Sequence, residues 1–455
     1  MIFERIKSAG IAHNSYLIGA GGAAAVIDPR RDCQVYLEIA RQKELKIRFV
    51  LETHRNEDYL IGSGELSDLT GVAVYHGPRD DWGYGSTLKG GEEFHLGKLR
   101  VTALPTPGHT PESLTYAVTD LSSGEATVAV FSGDALFVGD TGRVDLFGAG
   151  EAPRLADSLW HSLTEKILPL GDGAILFPAH GAGSLCGVKI ADRDDSTLGL
   201  EKAQNPVLSM SQEEFIRHKL GEHAVRPPYF ARMHEYNTAG PPRLGRLPSP
   251  AALKPGDFRE RMDSGALLID TREPSAFGAH IPGAYSIWLD GLPQFAGWVL
   301  PYDRPLLLVL ESPEHLDSAL RYLVRIGYDN IAGYLKGGLE GWYNAGYPLD
   351  TLHLLSVYEL KRMLDRGEAL FLLDVRSAGE FTSSRIDGAV NIYVGHLRDR
   401  LAEVPGDRPV VVYCNVGRRA SLASSLLLKA GYGPVYNVLG SMTAWEAAGF
   451  PVQRG

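Results

Sequence analysis

The stretch "ETHRNEDYL", residues 52–60, closes the apolar run "IRFVL" (47–51) with a cluster of metal-ligand side chains. His54 and Asp58 are in place. Asn56 and Tyr59 occupy the two positions where the metal-binding pattern T-H-x-H-x-D-H carries further histidines. A strand that ends in an imidazole and a carboxylate presents them from a rigid base, at the sheet rim where α/β proteins put their chemistry. The stretch therefore predicts an α/β domain whose metal site has either decayed or been reduced from two ions to one.

Moving outward, the same arrangement recurs. "LRVTALPTPGHT" reads as a strand leading to His109, and "ATVAVFSGD" as a strand ending at Asp134. Upstream, "NSYLIG" and "AAAVIDP" read as paired strands and "CQVYLEIARQKELK" as a helix. Three metal-ligand types at three successive strand ends make His54, His109 and Asp134 the candidate ligand set. This pattern is expected over residues 1–225.

From 226 to 250 the sequence becomes proline-rich and basic, "RPPYFARMHEYNTAGPPRLGRLPSP", and reads as a linker without helical or strand periodicity. Beyond it lies an internal repeat. "LLIDTREPSAFGAHIPGAYSI" in residues 251–350 is matched by "FLLDVRSAGEFTSSRIDGAVNI" in 351–455, and the copies close on "LKGGLEGWYNAGYPL" and "VLGSMTAWEAAGFPV". Each copy is expected to be a small parallel α/β domain running strand, helix, strand, loop, helix, strand, helix.

With 455 residues, the chain exceeds one hydrophobic core. Hydrophobic content of 44% and charged content of 22% are those of a globular protein, and a net charge of −10 argues against nucleic acid or an anionic membrane as partner. The three cysteines, Cys33, Cys186 and Cys414, are too few and too scattered for a disulfide framework. The opening "MIFERIKSAGIAHNSYLIG" has no apolar core of signal type, so a cytoplasmic location is expected. The sequence does not fix the oligomeric state, and a homo-oligomer is compatible with it.

In the second copy the strand "PVVVYC" ends at Cys414, followed by "NVGRRA" and a helical "SLASSLLLKA". A cysteine between strand end and helix start faces backbone N–H groups and the positive helix end, which favours a thiolate or persulfide anion. Gly417 lets the loop curl round the sulfur, and Arg418 or Arg419 would hold an oxyanion such as sulfite or thiosulfate. D-V-R, D-G-A-x-N-I, C-x-x-G-x-R-A and the late G-x-x-x-x-W together resemble the rhodanese family. The resemblance implies that Cys414 carries sulfane sulfur in a cradle formed by the 415–420 backbone. Arg385 stands where relatives often have a histidine, a position the first copy fills with His280. The first copy has Leu310 in place of Cys414, with Glu311 and His315 nearby but no thiol, and reads as a structural or docking module.

"VIDPRRD", "THRNED", "TPGHTPES", "FSGDALFVGDTGRVDL" and "PAHGAGS" occur in the order of the metallo-β-lactamase superfamily and are most similar to its persulfide dioxygenases, relatives of glyoxalase II. The resemblance implies a four-layer αβ/βα sandwich ahead of two rhodanese-like α/β domains. Two-metal members need histidines at 56 and 59, and amide and phenol are poorer ligands for a zinc-like ion. Persulfide dioxygenases use one Fe(II) per chain on positions matching His54, His109 and Asp134, with Asp58 and His180 orienting ligands or water. Arg143 would bind a substrate carboxylate or brace Asp145. Cys186 reads as an inert buried thiol or a redox-responsive one, and Cys33 as packing.

The implied activity is oxidation of a low-molecular-weight thiol persulfide by O2 to sulfite, with sulfur transfer through Cys414 giving thiosulfate, in sulfide detoxification. Two alternatives stand beside it. One is a glyoxalase II-like thiolester hydrolase with two metals. The other is a non-catalytic scaffold presenting an active rhodanese.

Overall fold

The computed structural model describes residues 1–79, 81–222 and 225–455. The chain divides into two compact units, residues 1–247 with 324–327, and residues 248–323 with 328–455. Among the described residues no helix is long and apolar enough to cross a membrane.

The first unit is built on two six-stranded sheets. One contains β1 (Ile2–Ser8), β2 (His13–Ala20), β3 (Ala23–Ile27), β4 (Lys46–Leu51), β5 (Val74–His76) and β6 (Ser86–Thr87) in sequential order. The other contains β7 (Glu93–Leu96), β8 (Leu99–Pro105), β9 (Leu114–Asp120), β10 (Thr127–Gly133), β11 (Ile175–Pro178) and β12 (Ser196–Thr197), also in order. Side chains alternate across each strand, so β2, β3, β4, β10 and β11 each feed two cores. Tyr16, Ile18, Ala25 and Ile27 pack with Val101, Tyr116, Val118 and Phe131 in the core shared by the two sheets. Their neighbours Leu17, Ala24 and Val26 pack instead with Tyr36, Ala40 and Leu66, under the helices Gln34–Gln42 and Ser63–Thr70. On the other sheet, Val130 and Leu176 meet Leu155, Leu159 and Phe215 from the helices Ala152–His161 and Gln212–Leu220. The result is the expected αβ/βα sandwich.

The linker expectation fails in its middle. Residues Phe230–Ala239 form an α-helix that belongs to the first unit. Its buried residues are Phe230, Met233 and Asn237, a helical i, i+3, i+7 face. The third position is an amide rather than an apolar side chain, so a search for hydrophobic periodicity passes over it. Its partners are the chain segment that carries the metal-ligand motif.

In the second unit both copies fold around a five-stranded parallel sheet with one strand order. In the first copy the order is Ala252–Leu253, Ile331–Leu335, Leu306–Val309, Leu267–Asp270, Tyr285–Ser286. In the second it is His353–Leu355, Val435–Val438, Val410–Tyr413, Phe371–Asp374, Val390–Asn391. The repeated motifs do the same work twice. Arg272 forks onto Asp270 as Arg376 forks onto Asp374. Trp342 Nε1 donates to the Pro348 carbonyl as Trp445 Nε1 donates to Pro451, each at 2.9 Å.

Candidate metal centre and thiol site

His54 lies just beyond β4, His109 beyond β8, Asp134 directly after β10 and His180 after β11. The loops bring His54, His109 and Asp134 into one buried group able to hold a metal ion. Nε2 of His54 is 3.5 Å and Nε2 of His109 is 3.4 Å from the same oxygen, Oδ2 of Asp134. The imidazole planes stand nearly perpendicular, at 81°.

Each ring is oriented from behind. Thr53 donates its backbone N–H and its hydroxyl to Asp28, at 2.8 and 2.6 Å. With its proton committed there, the Thr53 oxygen accepts from His54 Nδ1 at 2.9 Å. His109 Nδ1 donates to the Arg143 carbonyl at 2.9 Å. Both rings therefore carry their proton on Nδ1 and turn the Nε2 lone pair inward, the tautomer a metal ligand needs. Burial pulls His109 down to about 4, so it is a neutral donor at neutral pH. Burial works the other way on Asp28, pushing its carboxyl up to about 6.

The close approach depends on Gly133, whose φ is +55°. A Cβ there would meet Thr53 Oγ1 at 2.7 Å and Thr53 Cβ at 2.8 Å. Any side chain would push the end of β10, with Asp134, away from the His54 loop.

Beside this group sit Asp58 and His180. His180 Nδ1 contacts both oxygens of Asp134, at 2.8 and 2.9 Å, and its Nε2 lies 3.0 Å from Asp58 Oδ2. Burial opposes a charge on His180, but Asp134 and Asp58 together raise its pKa well above the ordinary value. Asn56 donates its amide to the His54 carbonyl, and Tyr59 packs against His13 at 4.0 Å between ring centroids, the planes tilted by 33°.

Arg143 braces Asp145. Its guanidinium is buried and forks onto Asp145 at 2.6 and 2.7 Å, and it also donates to the carbonyls of Leu185 and Val225. It builds the loop wall, and its carbonyl fixes His109.

The motif loop has a clamp that sequence inspection missed. Asn237 Nδ2 donates to the carbonyls of Asn56 and Tyr59, at 2.7 Å each, and its Oδ1 accepts from the Ile61 N–H at 3.0 Å. His234, one turn earlier, reaches the buried Glu57 at 2.9 Å. The only sequence signal was a polar residue at helical spacing from Phe230 and Met233.

At the thiol site, Cys414 follows the strand Val410–Tyr413 and precedes the helix Arg418–Lys429. Its Sγ accepts from the Gly417 N–H at 3.1 Å, and its own N–H donates to Ser441 Oγ at 3.0 Å. Gly417 sits at φ +98°, a left-handed conformation that turns its N–H back to the sulfur. The two arginines part company. Arg419 is largely buried and pairs with Glu380, whereas Arg418 is 44% exposed, reaches Glu273 of the first copy at 3.2 Å and lies over Trp288. Asn415 Nδ2 donates to Glu380 Oε1 at 2.7 Å. Leu310, buried at the equivalent place in the first copy, offers no nucleophile.

Comparison with known proteins identifies the families of both parts of the chain. Residues 9–180 match the metallo-beta-lactamase superfamily, and residues 254–345 and 356–448 each match the rhodanese-like domain. The mitochondrial persulfide dioxygenase ETHE1 of Bos taurus is 30% identical over 215 residues, covering 45% of this chain and 74% of that protein. The Mus musculus ETHE1 is 31% identical over the same length, with the same coverage. A crystal structure of a metallo-beta-lactamase from Staphylococcus aureus subsp. aureus COL covers 74% of this chain and 98% of its own, with a TM-score of 0.66 and 30% identity.

Proposed function

The chain belongs to the metallo-β-lactamase superfamily, in the persulfide dioxygenase family of ETHE1, with two rhodanese-like domains behind it, and from that premise we propose that it is an iron persulfide dioxygenase fused to a sulfurtransferase. The observation that carries the proposal is the pair of Nε2 atoms converging on one Asp134 oxygen. Two imidazoles and a carboxylate on one face match the facial donor set of non-haem Fe(II) oxygenases, with positions left over for substrate. Bound there, one Fe(II) per chain would supply redox capacity and O2 activation.

The chain's own residues supply geometry and protection. Asp28 and Thr53 hold His54, the Arg143 carbonyl holds His109, and Asn237 and His234 keep the 56–61 loop closed over the ligands. The ligand side chains are 0–2% exposed, so water is largely kept from the reacting sulfur. The net reaction is R–S–SH + O2 + H2O → R–SH + SO3²⁻ + 2 H⁺, a four-electron oxidation of the terminal sulfur.

At the second site, the Cys414 thiolate attacks the outer sulfur of another persulfide and releases R–SH. The Gly417 N–H and the helix N-terminus favour the resulting Cys414–S–S⁻. Sulfite then attacks the terminal sulfur, the S–S bond breaks toward Cys414, and thiosulfate leaves. Arg418, 44% exposed and paired with Glu273, would receive the incoming anion. These products fit sulfide detoxification, and we propose a cytoplasmic setting for it.

The test is oxygen uptake by anaerobically iron-loaded protein given a thiol persulfide, with His54→Ala and Cys414→Ser alongside. Uptake should need His54 and survive loss of Cys414, while the product changes from thiosulfate to sulfite. Failure of every persulfide to consume oxygen would leave only the sulfurtransferase. Activity indifferent to His54, His109 and Asp134 would favour the scaffold, and thiolester cleavage with two bound zinc ions would favour the hydrolase.

A further inference from the structure

The helix Arg418–Lys429, whose N-terminus backs the Cys414 loop, does not rest on the second copy alone. Arg418, Ser421, Ser425 and Lys429 fall at helical spacing and form one stripe, and each member touches the first copy. The hydroxyls of Ser421 and Ser286 lie 2.7 Å apart, and Ser425 Oγ accepts the Ser286 N–H at 3.1 Å. All three serines are buried. At the far end Lys429 donates to the Gly283 carbonyl at 2.6 Å and lies 4.2 Å from the centre of the Tyr285 ring. Buried, satisfied polar contacts of this kind tolerate little sliding. The first copy therefore fixes where Arg418, at the head of the stripe, stands relative to Cys414.

At that head the first copy offers Arg418 two partners of different kinds. Glu273 accepts from its Nη2 at 3.2 Å, and the Trp288 ring centre lies 5.9 Å from its Cζ. Trp288 is buried, whereas the Glu273 side chain is 56% exposed. An aromatic ring holds a guanidinium by its face and leaves the N–H edge free. A carboxylate occupies that edge, as a sulfur oxyanion would. Because the pair with Glu273 is exposed on both sides, it is weak enough to exchange.

On the premise that Cys414 hands sulfane sulfur to sulfite, we propose that the cysteine-less copy completes the transfer site. Trp288 keeps Arg418 beside the loop, and Glu273 is a resident competitor for its N–H edge. Sulfite displaces Glu273 as it enters. Glu273 retakes Arg418 as thiosulfate leaves, which shortens the stay of the product. This role needs no thiol, so it is compatible with Leu310 in place of a nucleophile.

The test is steady-state sulfur transfer from a thiol persulfide to sulfite by the full-length protein. Glu273→Gln removes the competing charge and keeps the shape. The KM for sulfite and the thiosulfate concentration giving half-inhibition should each fall about two- to fivefold, the range an exposed ion pair supplies, with no rise in kcat. Arg418→Gln should raise the KM for sulfite, and adding Glu273→Gln to it should change nothing further. A general effect of charge or folding would persist without Arg418. An unchanged or raised KM in Glu273→Gln, or a change of equal size in the Arg418→Gln background, overturns the inference. If the wild type passes no sulfur to sulfite, the sulfurtransferase reading fails by itself, and calorimetric binding of thiosulfate to the Cys414→Ser protein decides instead. Binding about two- to fivefold tighter on adding Glu273→Gln supports the competitor, and equal or undetectable binding overturns it.

Discussion

Arg419 grips Glu380 with both arms of its guanidinium, Nη1 to Oε2 at 2.8 Å and Nη2 to Oε1 at 2.7 Å. The carboxylate also receives Asn415, the residue after the sulfur carrier, and caps the helix Ala378–Ser383 through Ser377. Arg419 thus shapes the loop around Cys414 from behind.

Replacing Arg419 by lysine keeps the charge but loses the planar fork. Sulfur transfer should drop about 10- to 100-fold, as loop misplacement near an ångström typically does. Iron-dependent oxygen uptake should stay at the wild-type rate. Parallel assays of the two activities check this.

The same pair sets an acid limit. Burial opposes ionisation of Glu380, but the Arg419 fork outweighs it and brings the carboxyl down from 4.5 to about 2. A depressed carboxyl contributes stability that is fully present above its unfolded pKa and is lost as pH falls through the folded one. The stabilisation should therefore be complete above pH 4.5 and fade towards pH 2. Unfolding curves of wild type and Glu380→Gln should differ at neutral pH and converge at the acid end of that window.

Gly417→Ala should slow sulfur transfer about tenfold. The added Cβ would crowd the Val438 carbonyl oxygen at 3.3 Å, and φ +98° is strained for an L-residue by roughly 1–2 kcal/mol. Relaxing that strain turns the N–H away from Sγ. Rapid-quench measurement of Cys414 persulfide formation would show the loss.

Thr53→Val removes the hydroxyl that links Asp28 to His54 while keeping the side-chain volume. Iron affinity should fall about 10- to 100-fold, the usual cost of losing such an orienting partner. Competition with a chelator of known affinity measures it.

Asn237→Ala should leave the carbonyls of Asn56 and Tyr59 and the N–H of Ile61 without their partner, destabilising the first unit by about 3 kcal/mol. Iron retained through gel filtration should drop, while Cys414 chemistry should be unaffected.

What was legible in the sequence was whatever chemistry confines to a short stretch. His54, His109 and Asp134 were readable because each closely follows a strand, and Cys414 because its glycine and arginines follow it directly. The repeat was readable because its two copies use one spacing. Asn237 was not, because its role is to bond a loop far away in the chain, and nothing local distinguishes it from a solvated amide. Arg418 and Arg419 were offered as equivalent anion holders. Only the fold separates them, since Glu380, on another helix, takes the second. Cys186 was visible as a residue, but its proximity to Asp58 depends on how the loop after His180 closes.

The helix Phe230–Ala239 also changes where the first module ends. The superfamily match stops at His180, yet the clamp on the ligand loop comes from a segment that by composition alone belongs to no domain. A recombination event, or a cloning primer, placed at the apparent boundary would carry away every ligand and leave behind the piece that holds them in place. The inherited unit is longer than the recognisable one, and what joins dioxygenase to sulfurtransferase is partly organ and only partly tether.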